Sequence, residues 1–196
     1  MNTPTEASTT DRVGTDDSNT IPANAGDGTA SLYEIVGRLD RAISEELIST
    51  GELAELRRLD VEQPDQPAYW KILTTYILSD RDRLSGKEET GWAMVLNGMA
   101  HMAPSVHDPD RSLGRVLADN DYHEMRLLRF LRERGEAFRS GVRRVARYLG
   151  RQGEPVDWGQ FAAFILSDYG GEAHEELCRS IARDYYLHIE QDETDE

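Results

Sequence analysis

The chain has 196 residues and a formal net charge of −15, and 38% of its residues are hydrophobic, enough for a buried core. Its single cysteine excludes an intrachain disulfide and is typical of a reducing compartment. The first residues lack the cationic and apolar regions of a signal peptide, and no apolar run approaches the roughly 20 residues that span a bilayer. We therefore expect a cytoplasmic protein that does not insert into membranes.

Both ends of the chain are acidic and poor in large apolar residues. Residues 1–30 consist mainly of Thr, Asp, Asn, Gly, Ala and Pro, and residues 190–196 hold five acids among seven positions. Segments of this composition cannot bury enough apolar surface to offset the entropy lost on ordering. We therefore predict disordered acidic tails at residues 1–30 and 190–196.

Between these tails the hydrophobic pattern has a helical period throughout, and no alternating run of β-branched residues is long enough for a strand. Ser31 and Asp157 are predicted N-caps. About nine helices are predicted, at 31–49, 52–60, 67–79, 88–102, 112–119, 122–134, 136–151, 157–168 and 171–188. The predicted fold is all-α, with two small helical bundles at residues 31–108 and 109–189.

The sign of the charge reverses between residues 111 and 151. This stretch holds eleven arginines, no lysine and five acids, for a net charge of +6, whereas the other 155 residues sum to −21. Clustered arginine commonly neutralises phosphate, so a basic island in an acidic chain favours a polyanion-binding surface. The alternative is that these arginines form ion pairs with the surrounding acids.

The two predicted helices 122–134 and 136–151 concentrate arginine on one side. In the second helix the apolar residues fall within roughly 60° of arc, and the arginines fan across roughly 140° on the opposite side. The arginines of the two polar faces are Arg126, Arg129, Arg132, Arg139, Arg143, Arg144, Arg147 and Arg151. A solvated helix would normally mix both signs of charge there, which again favours an anionic ligand.

Neither a metal centre nor a catalytic site is indicated. His174 and Cys178 have the i, i+4 spacing of ligands on one helix face, but a closed zinc site needs two more ligands and there is no second cysteine. Phosphate-binding loops, dinucleotide-binding loops and nucleophile motifs are absent from the sequence. We therefore predict a protein that is not an enzyme and that uses no cofactor or metal.

Three tryptophans also occur in helical segments. Trp70, Trp92 and Trp158 could stack on unpaired bases. Each occupies a helical apolar position, however, and core packing is the commoner role there. We therefore predict that all three lie in the core.

Several segments, taken in order and spacing, resemble one protein family. They are Gly51–Arg58, Pro67–Lys71, Trp92–Leu96, Ser112–Ala118, Glu124–Arg132, Arg143–Arg144, Val156–Trp158 and Ile181–Tyr186. The Ser-Leu-Gly-Arg motif of Ser112–Arg115 and the Ala-Arg-Asp-Tyr-Tyr motif of Ala182–Tyr186 are the most specific. From about residue 31 to 189 the chain resembles CasB, the small subunit of the type I-E CRISPR surveillance complex Cascade.

This resemblance implies a non-catalytic subunit for antiviral defence. Its implied partners are the crRNA-bound backbone, the large subunit, a second copy packed head to tail, crRNA, and target DNA. Basic side chains would hold the DNA, mainly its displaced strand, and so stabilise the R-loop. The family motifs point to Arg57, Arg58, Arg115, Arg126, Arg132, Arg143 and Arg144, and the arginine faces of the helices add Arg129, Arg139, Arg147 and Arg151.

A purely structural scaffold, whose basic face packs on acidic partner subunits, is the alternative function. The two functions differ in salt-dependent binding of single-stranded DNA, which a scaffold would lack. For the DNA-binding function, the sequence predicts that alanine at Arg126, Arg143 and Arg144 together weakens retention of the R-loop and leaves the fold intact.

Overall fold

The structure, a computed structural model, describes residues 30–80, 83–167 and 170–192. Across these ranges it contains nine α-helices and no β-strand, which confirms the predicted all-α fold. The helices are α1 Leu32–Ser44, α2 Thr50–Arg57, α3 Pro67–Ile72, α4 Gly86–Met102, α5 Leu113–Asp119, α6 Glu124–Arg132, α7 Gly135–Gln152, α8 Trp158–Leu166 and α9 Glu172–Asp192. None of these helices is long and apolar enough to cross a membrane. The predicted disorder of residues 1–29 and 193–196 concerns positions outside the described residues.

Side-chain caps explain where several helices begin. Ser31 accepts a hydrogen bond from the backbone of Glu34, whose carboxylate accepts one in return, and the same reciprocal pair recurs at Ser49 with Glu52. Asp157 accepts from the backbone N–H groups of Gly159 and Gln160. The predicted N-caps at Ser31 and Asp157 are therefore confirmed.

Three predicted helices differ in extent or in type from those in the structure. The first helix ends at Ser44 and not at 49, because Glu46 has a left-handed backbone (φ 56°) and the Ser49 cap starts a new helix. The third continues past Ile72 as a π-helical turn, Leu73–Ile77, and a 3-10 turn, Leu78–Asp80. Thr75 donates its hydroxyl to the Lys71 carbonyl in this stretch, which competes with regular helical bonding. The last helix extends to Asp192, into the segment predicted to be a tail.

The helices share one hydrophobic core that includes residues from both halves of the chain. In its interior α4 packs against α2, α7 and α8, and α1 packs on α8. The segment after α4 is pinned to the segment before α8, since the Asp108 N–H donates to the Val156 carbonyl (3.2 Å) and the Asp157 N–H donates to the Arg111 carbonyl (2.7 Å). The division into two bundles near residue 109 stays a prediction.

The tryptophans divide into two kinds. Trp92 and Trp158 are fully buried, as predicted. Trp158 fits because residue 98 is glycine, where a Cβ atom would overlap its indole ring. Trp70 is 42% exposed, so its assignment to the core was wrong. Its neighbour Tyr69 takes the buried position of that turn and packs edge to face against the Trp70 ring.

Candidate nucleic-acid interface

A groove of about 460 Å³ lies between α7 and the start of α6. Its α7 wall is built by positions three or four residues apart, which fall on one stripe of a helix. The lining residues are Tyr122, Arg126, Ser140, Arg143, Arg144, Arg147, Tyr148 and Arg151. We call this the arginine groove. Of the site residues predicted from the sequence, the structure brings Arg126, Arg143, Arg144 and Arg147 together here, with Arg151 beside them.

Three arginines of the groove are available to an anion. The side chains of Arg126, Arg147 and Arg151 are exposed. Among the residues that the structure describes, no carboxylate forms an ion pair with any of them. Their guanidinium groups can therefore bind phosphate without first giving up a partner within the described part of the chain.

Arg143 has a different role, because it is half-buried and forms part of the helix packing. Its Nε donates to Asn97 Oδ1 of α4 (3.1 Å), and its Nη2 donates to the Leu59 carbonyl beyond α2 (3.0 Å). Asn97 is itself buried and donates its Nδ2 to the Leu56 carbonyl (2.7 Å). Arg143 thus joins α7 to α4 and to the end of α2 while its side chain lines the groove.

Arg144 is held by a buried acid. Its Nη2 lies 2.9 Å from both carboxylate oxygens of Glu133, a residue at the end of α6 whose side chain is only 6% exposed. The Arg144 side chain remains 51% exposed. The expectation that Arg143 and Arg144 can be replaced without effect on the fold therefore conflicts with their contacts.

The positive potential extends from the groove to the end of α4. Burial lowers the pKa of His101 to about 4, and the charges of Arg147, Arg143 and Arg57 contribute in that order. These three arginines therefore converge on the imidazole, although they come from two different helices. Arg57 is fixed there because its Nε donates to the Ala100 carbonyl (2.7 Å).

The two tyrosines of the groove were not predicted as site residues. Tyr122 and Tyr148 pack edge to face with ring centroids 5.0 Å apart, and the Tyr148 hydroxyl donates to the Asn120 carbonyl. Ser140 also lines the groove and was not predicted. Because Ser140 and Tyr148 lie four residues before and after Arg144 on α7, their spacing is a sequence signal that could have identified both. Tyr122 joins the groove only through the packing of α6 beside α7, for which the sequence gives no local signal.

The remaining predicted arginines lie outside the groove. Arg58 is exposed at the end of α2, and Arg115 forms an exposed ion pair with Asp119 (3.6 Å). Arg139 is half-buried and pairs with Glu62. Arg129 and Arg132 lie elsewhere on α6, where they line a second hollow of about 350 Å³ together with Met125, Leu128 and Glu133.

His174 and Cys178, the two residues with the spacing of metal ligands, both have structural partners. Burial raises the pKa of the Cys178 thiol, which disfavours the thiolate that a metal or a nucleophilic attack requires. Ser167 Oγ lies 2.8 Å from His174 Nδ1, and the His174 ring stacks on Phe164. Over the described ranges, no group of three or more His, Cys, Asp or Glu residues is placed to hold a metal ion.

Comparison with known proteins assigns the chain to a family. The family described as CRISPR-associated protein Cse2 matches residues 52–186, a range that contains the whole arginine groove. The chain belongs to the Cse2 family. The predicted resemblance to the CasB small subunit is thereby confirmed.

Two solved structures share this fold. CasB from Thermobifida fusca is similar with a TM-score of 0.65 and 17% identity, over 79% of this chain and 97% of that chain. A chain in the crystal structure of E. coli Cascade bound to a PAM-containing dsDNA target is similar with a TM-score of 0.60 and 18% identity, over 79% and 96%. No curated protein sequence matches the chain.

Proposed function

We propose that this Cse2-family protein is a non-catalytic subunit of a type I-E CRISPR Cascade complex that holds target DNA in the arginine groove. Family membership supports the place in the complex, and a similar chain occurs in the DNA-bound Cascade of E. coli. The observation that carries the DNA-binding part is the convergence of Arg126, Arg147 and Arg151, all exposed and none paired with an acid of the described residues.

The chemistry of the groove suits a phosphodiester backbone and needs no base recognition. Guanidinium groups make charge-assisted, often bidentate contacts to phosphate, and such contacts carry no sequence information. In a crRNA-guided complex the guide RNA reads the sequence by base pairing. A subunit beside the R-loop would therefore supply sequence-independent binding of the DNA backbone.

The displaced strand is the preferred ligand within the R-loop. R-loop formation exchanges one duplex for another at near balance, so modest contacts to the released single strand can shift the equilibrium toward the open state. The free subunit is expected to bind weakly, because its net charge of −15 repels the ligand as a whole. Neighbouring subunits, namely the crRNA-bound backbone, the large subunit and a second copy packed head to tail, would supply the remaining contacts. A cytoplasmic location stays part of the proposal.

A scaffold function is favoured for the basic residues outside the groove. Arg129 and Arg132 flank the exposed side chain of Met125 on the outer face of α6, and this mixture of apolar and cationic groups is typical of a protein contact. We therefore assign DNA to the arginine groove and leave the outer face of α6 for partner subunits.

The function is tested by replacing Arg126, Arg147 and Arg151 together with alanine. Binding of a fluorescent single-stranded oligonucleotide is measured as a function of salt, and R-loop lifetime is measured with the assembled complex. Because each neutralised phosphate contributes about −0.7 to the log–log salt slope, the triple variant should flatten the slope by about 2 units, for every target sequence alike.

The matched control removes three other exposed arginines, Arg41, Arg83 and Arg183, which lie outside the groove. It changes the net charge by the same amount and should leave the slope and the R-loop lifetime close to those of the native chain. If the two triple variants had equal effects, the arginines of the groove would act only through the net charge of the chain. An unchanged slope in both, with normal incorporation into the complex, would favour the scaffold function.

A further inference from the structure

A single buried carboxylate lies between the arginines of α6 and those of α7. Glu133 ends α6, and its side chain is 6% exposed, although acids are rarely buried unless they are paired. Arg144 Nη2 lies 2.9 Å from both of its oxygens, and Arg129 Nε lies 3.3 Å from Oε1. One acid thus joins an arginine of each helix.

The backbone makes room for this carboxylate. A Cβ atom at Gly141 would overlap Glu133 Oε2 and would also press on the Phe130 ring. Glycine at this position of α7 lets the two helices approach with the acid enclosed between them. Gly141 is three residues before Arg144, so the space is left on the same side of α7 as the arginine that uses it.

The pairing with Glu133 fixes one side of the Arg144 guanidinium and leaves its other donors for Tyr122 and for a ligand. Arg144 has five N–H donors, and only its Nη2 is engaged by Glu133. Half of the side chain is exposed, and it lines the arginine groove. Burial raises the pKa of the Tyr122 hydroxyl, and the charge and the hydrogen bond of the neighbouring Arg144 guanidinium oppose that rise.

We propose that Glu133 is a positioning residue for polyanion binding, and that its carboxylate holds Arg144 in the orientation that accepts phosphate in the groove. The inference rests on the proposed function of the groove. A long cationic side chain loses rotamer entropy when it binds, and a side chain that is already ordered loses less. Glu133 therefore strengthens binding although its own charge repels the ligand.

These two effects of Glu133 have opposite signs, which makes the proposal testable. If the acid acts only through its charge, E133Q removes a repulsive group and tightens binding of the single strand. If it positions Arg144, E133Q weakens binding despite the more positive chain. E133D keeps the charge and shortens the side chain by one methylene. It therefore weakens binding only if the position of the carboxylate beside Arg144 is important.

The experiment measures binding of a fluorescent oligothymidylate to the full chain at low salt. We expect E133Q and E133D to weaken affinity by roughly fivefold to tenfold, the scale of one ordinary hydrogen bond. The control is E136Q, which removes an exposed acid from the first turn of α7 and should bind as tightly as the native chain or slightly more tightly. Tighter binding by E133Q, or unchanged binding by E133D, would overturn the proposal.

A second measurement separates this proposal from the proposed function. The order parameter of the Arg144 Nε–H, measured by ¹⁵N relaxation without nucleic acid, should fall in E133Q and stay unchanged in E136Q. If the native chain did not bind the oligonucleotide but the order parameter still fell in E133Q, the proposed function of the groove would be contradicted. The restraint of Arg144 by Glu133 would nevertheless be established. An unchanged order parameter in a folded E133Q would contradict the positioning role itself.

Discussion

Gly114 of α5 rests directly against the backbone of Ile181 in α9, and a Cβ atom at residue 114 would overlap the Ile181 carbonyl oxygen. This Cβ atom would also press on the Tyr185 backbone nitrogen and the Asp184 Cβ, so the two most specific motifs of the sequence meet in the fold. Next to this contact the Tyr185 hydroxyl donates to the Tyr122 carbonyl (2.6 Å). Tyr122 lines the arginine groove, so the packing of α5 on α9 also fixes one edge of the candidate site.

Replacing Gly114 by alanine should destabilise the protein by about 1–3 kcal/mol, because the backbone of α9 must move away from the new methyl group. The free energy of unfolding from urea titration measures the effect. Gly37 of α1 is the matched control, since a Cβ atom there would meet nothing within 4 Å. G37A should be neutral or stabilising by up to about 1 kcal/mol, as expected for a helical glycine. Equal effects of the two substitutions would contradict the close approach of α5 and α9.

Replacing Arg143 by alanine should cost about 1–3 kcal/mol of stability, because it leaves the buried Asn97 Oδ1 without its donor. The same substitution at Arg147, which is exposed and pairs with no acid of the described residues, should stay within about 0.5 kcal/mol of the native chain. Thermal melts of both variants, followed by circular dichroism at 222 nm, provide the comparison. If R147A proves as destabilised as R143A, the structural role of Arg143 is contradicted.

His101 should make the fold sensitive to mild acid. Its pKa is lowered from 6.5 to about 4 in the folded state, so between these values the unfolded chain binds a proton that the folded chain excludes. Stability contributed by the neutral imidazole is therefore present above about pH 6.5 and is lost as the pH falls toward 4. H101Q has no group that titrates here, and its unfolding free energy should fall less than that of the native chain between pH 7 and pH 5. Parallel curves for the two proteins would show that His101 is not shielded from protonation.

The tryptophans should differ in their access to a quencher. Trp70 is 42% exposed, whereas Trp92 and Trp158 are at most 1% exposed. Acrylamide should therefore quench mainly the Trp70 emission, and W70F should leave fluorescence that is shifted to the blue and hard to quench. Strong residual quenching in W70F would contradict the burial of the other two rings. W92F, which replaces a buried ring, is the control that should retain the quenchable emission.

The helical period was sufficient to predict the fold class and most of the helices. Apolar spacing is a local property, and so are the serine and aspartate caps that start α1 and α8. The position of Trp70 was missed because Tyr69 and Trp70 are adjacent and equally apolar, and only the packing of α3 decides which of the two faces the core.

The arginine faces of α6 and α7 were predicted as surfaces, but the partners of individual arginines were not. A helical wheel places Arg139, Arg143 and Arg147 on one side of α7. In the structure the first pairs with Glu62, the second reaches Asn97, and the third has no acid partner among the described residues. The partners of the first two lie 77 and 46 positions away, so no local pattern could have separated the three.

The hydrogen bonds of Arg143 and Asn97 form a joint between α7, α4 and the turn after α2. This joint limits how the sequence of the protein can vary. Both side chains end on main-chain oxygens, those of Leu59 and Leu56, and neither bond depends on which side chains those residues carry. Substitutions at Arg57 and Arg58, between the two carbonyls, are therefore compatible with the joint, whereas an inserted or deleted residue would displace one oxygen from its donor. The turn after α2 should accordingly keep its length among homologues, because that length sets the positions of both carbonyl oxygens.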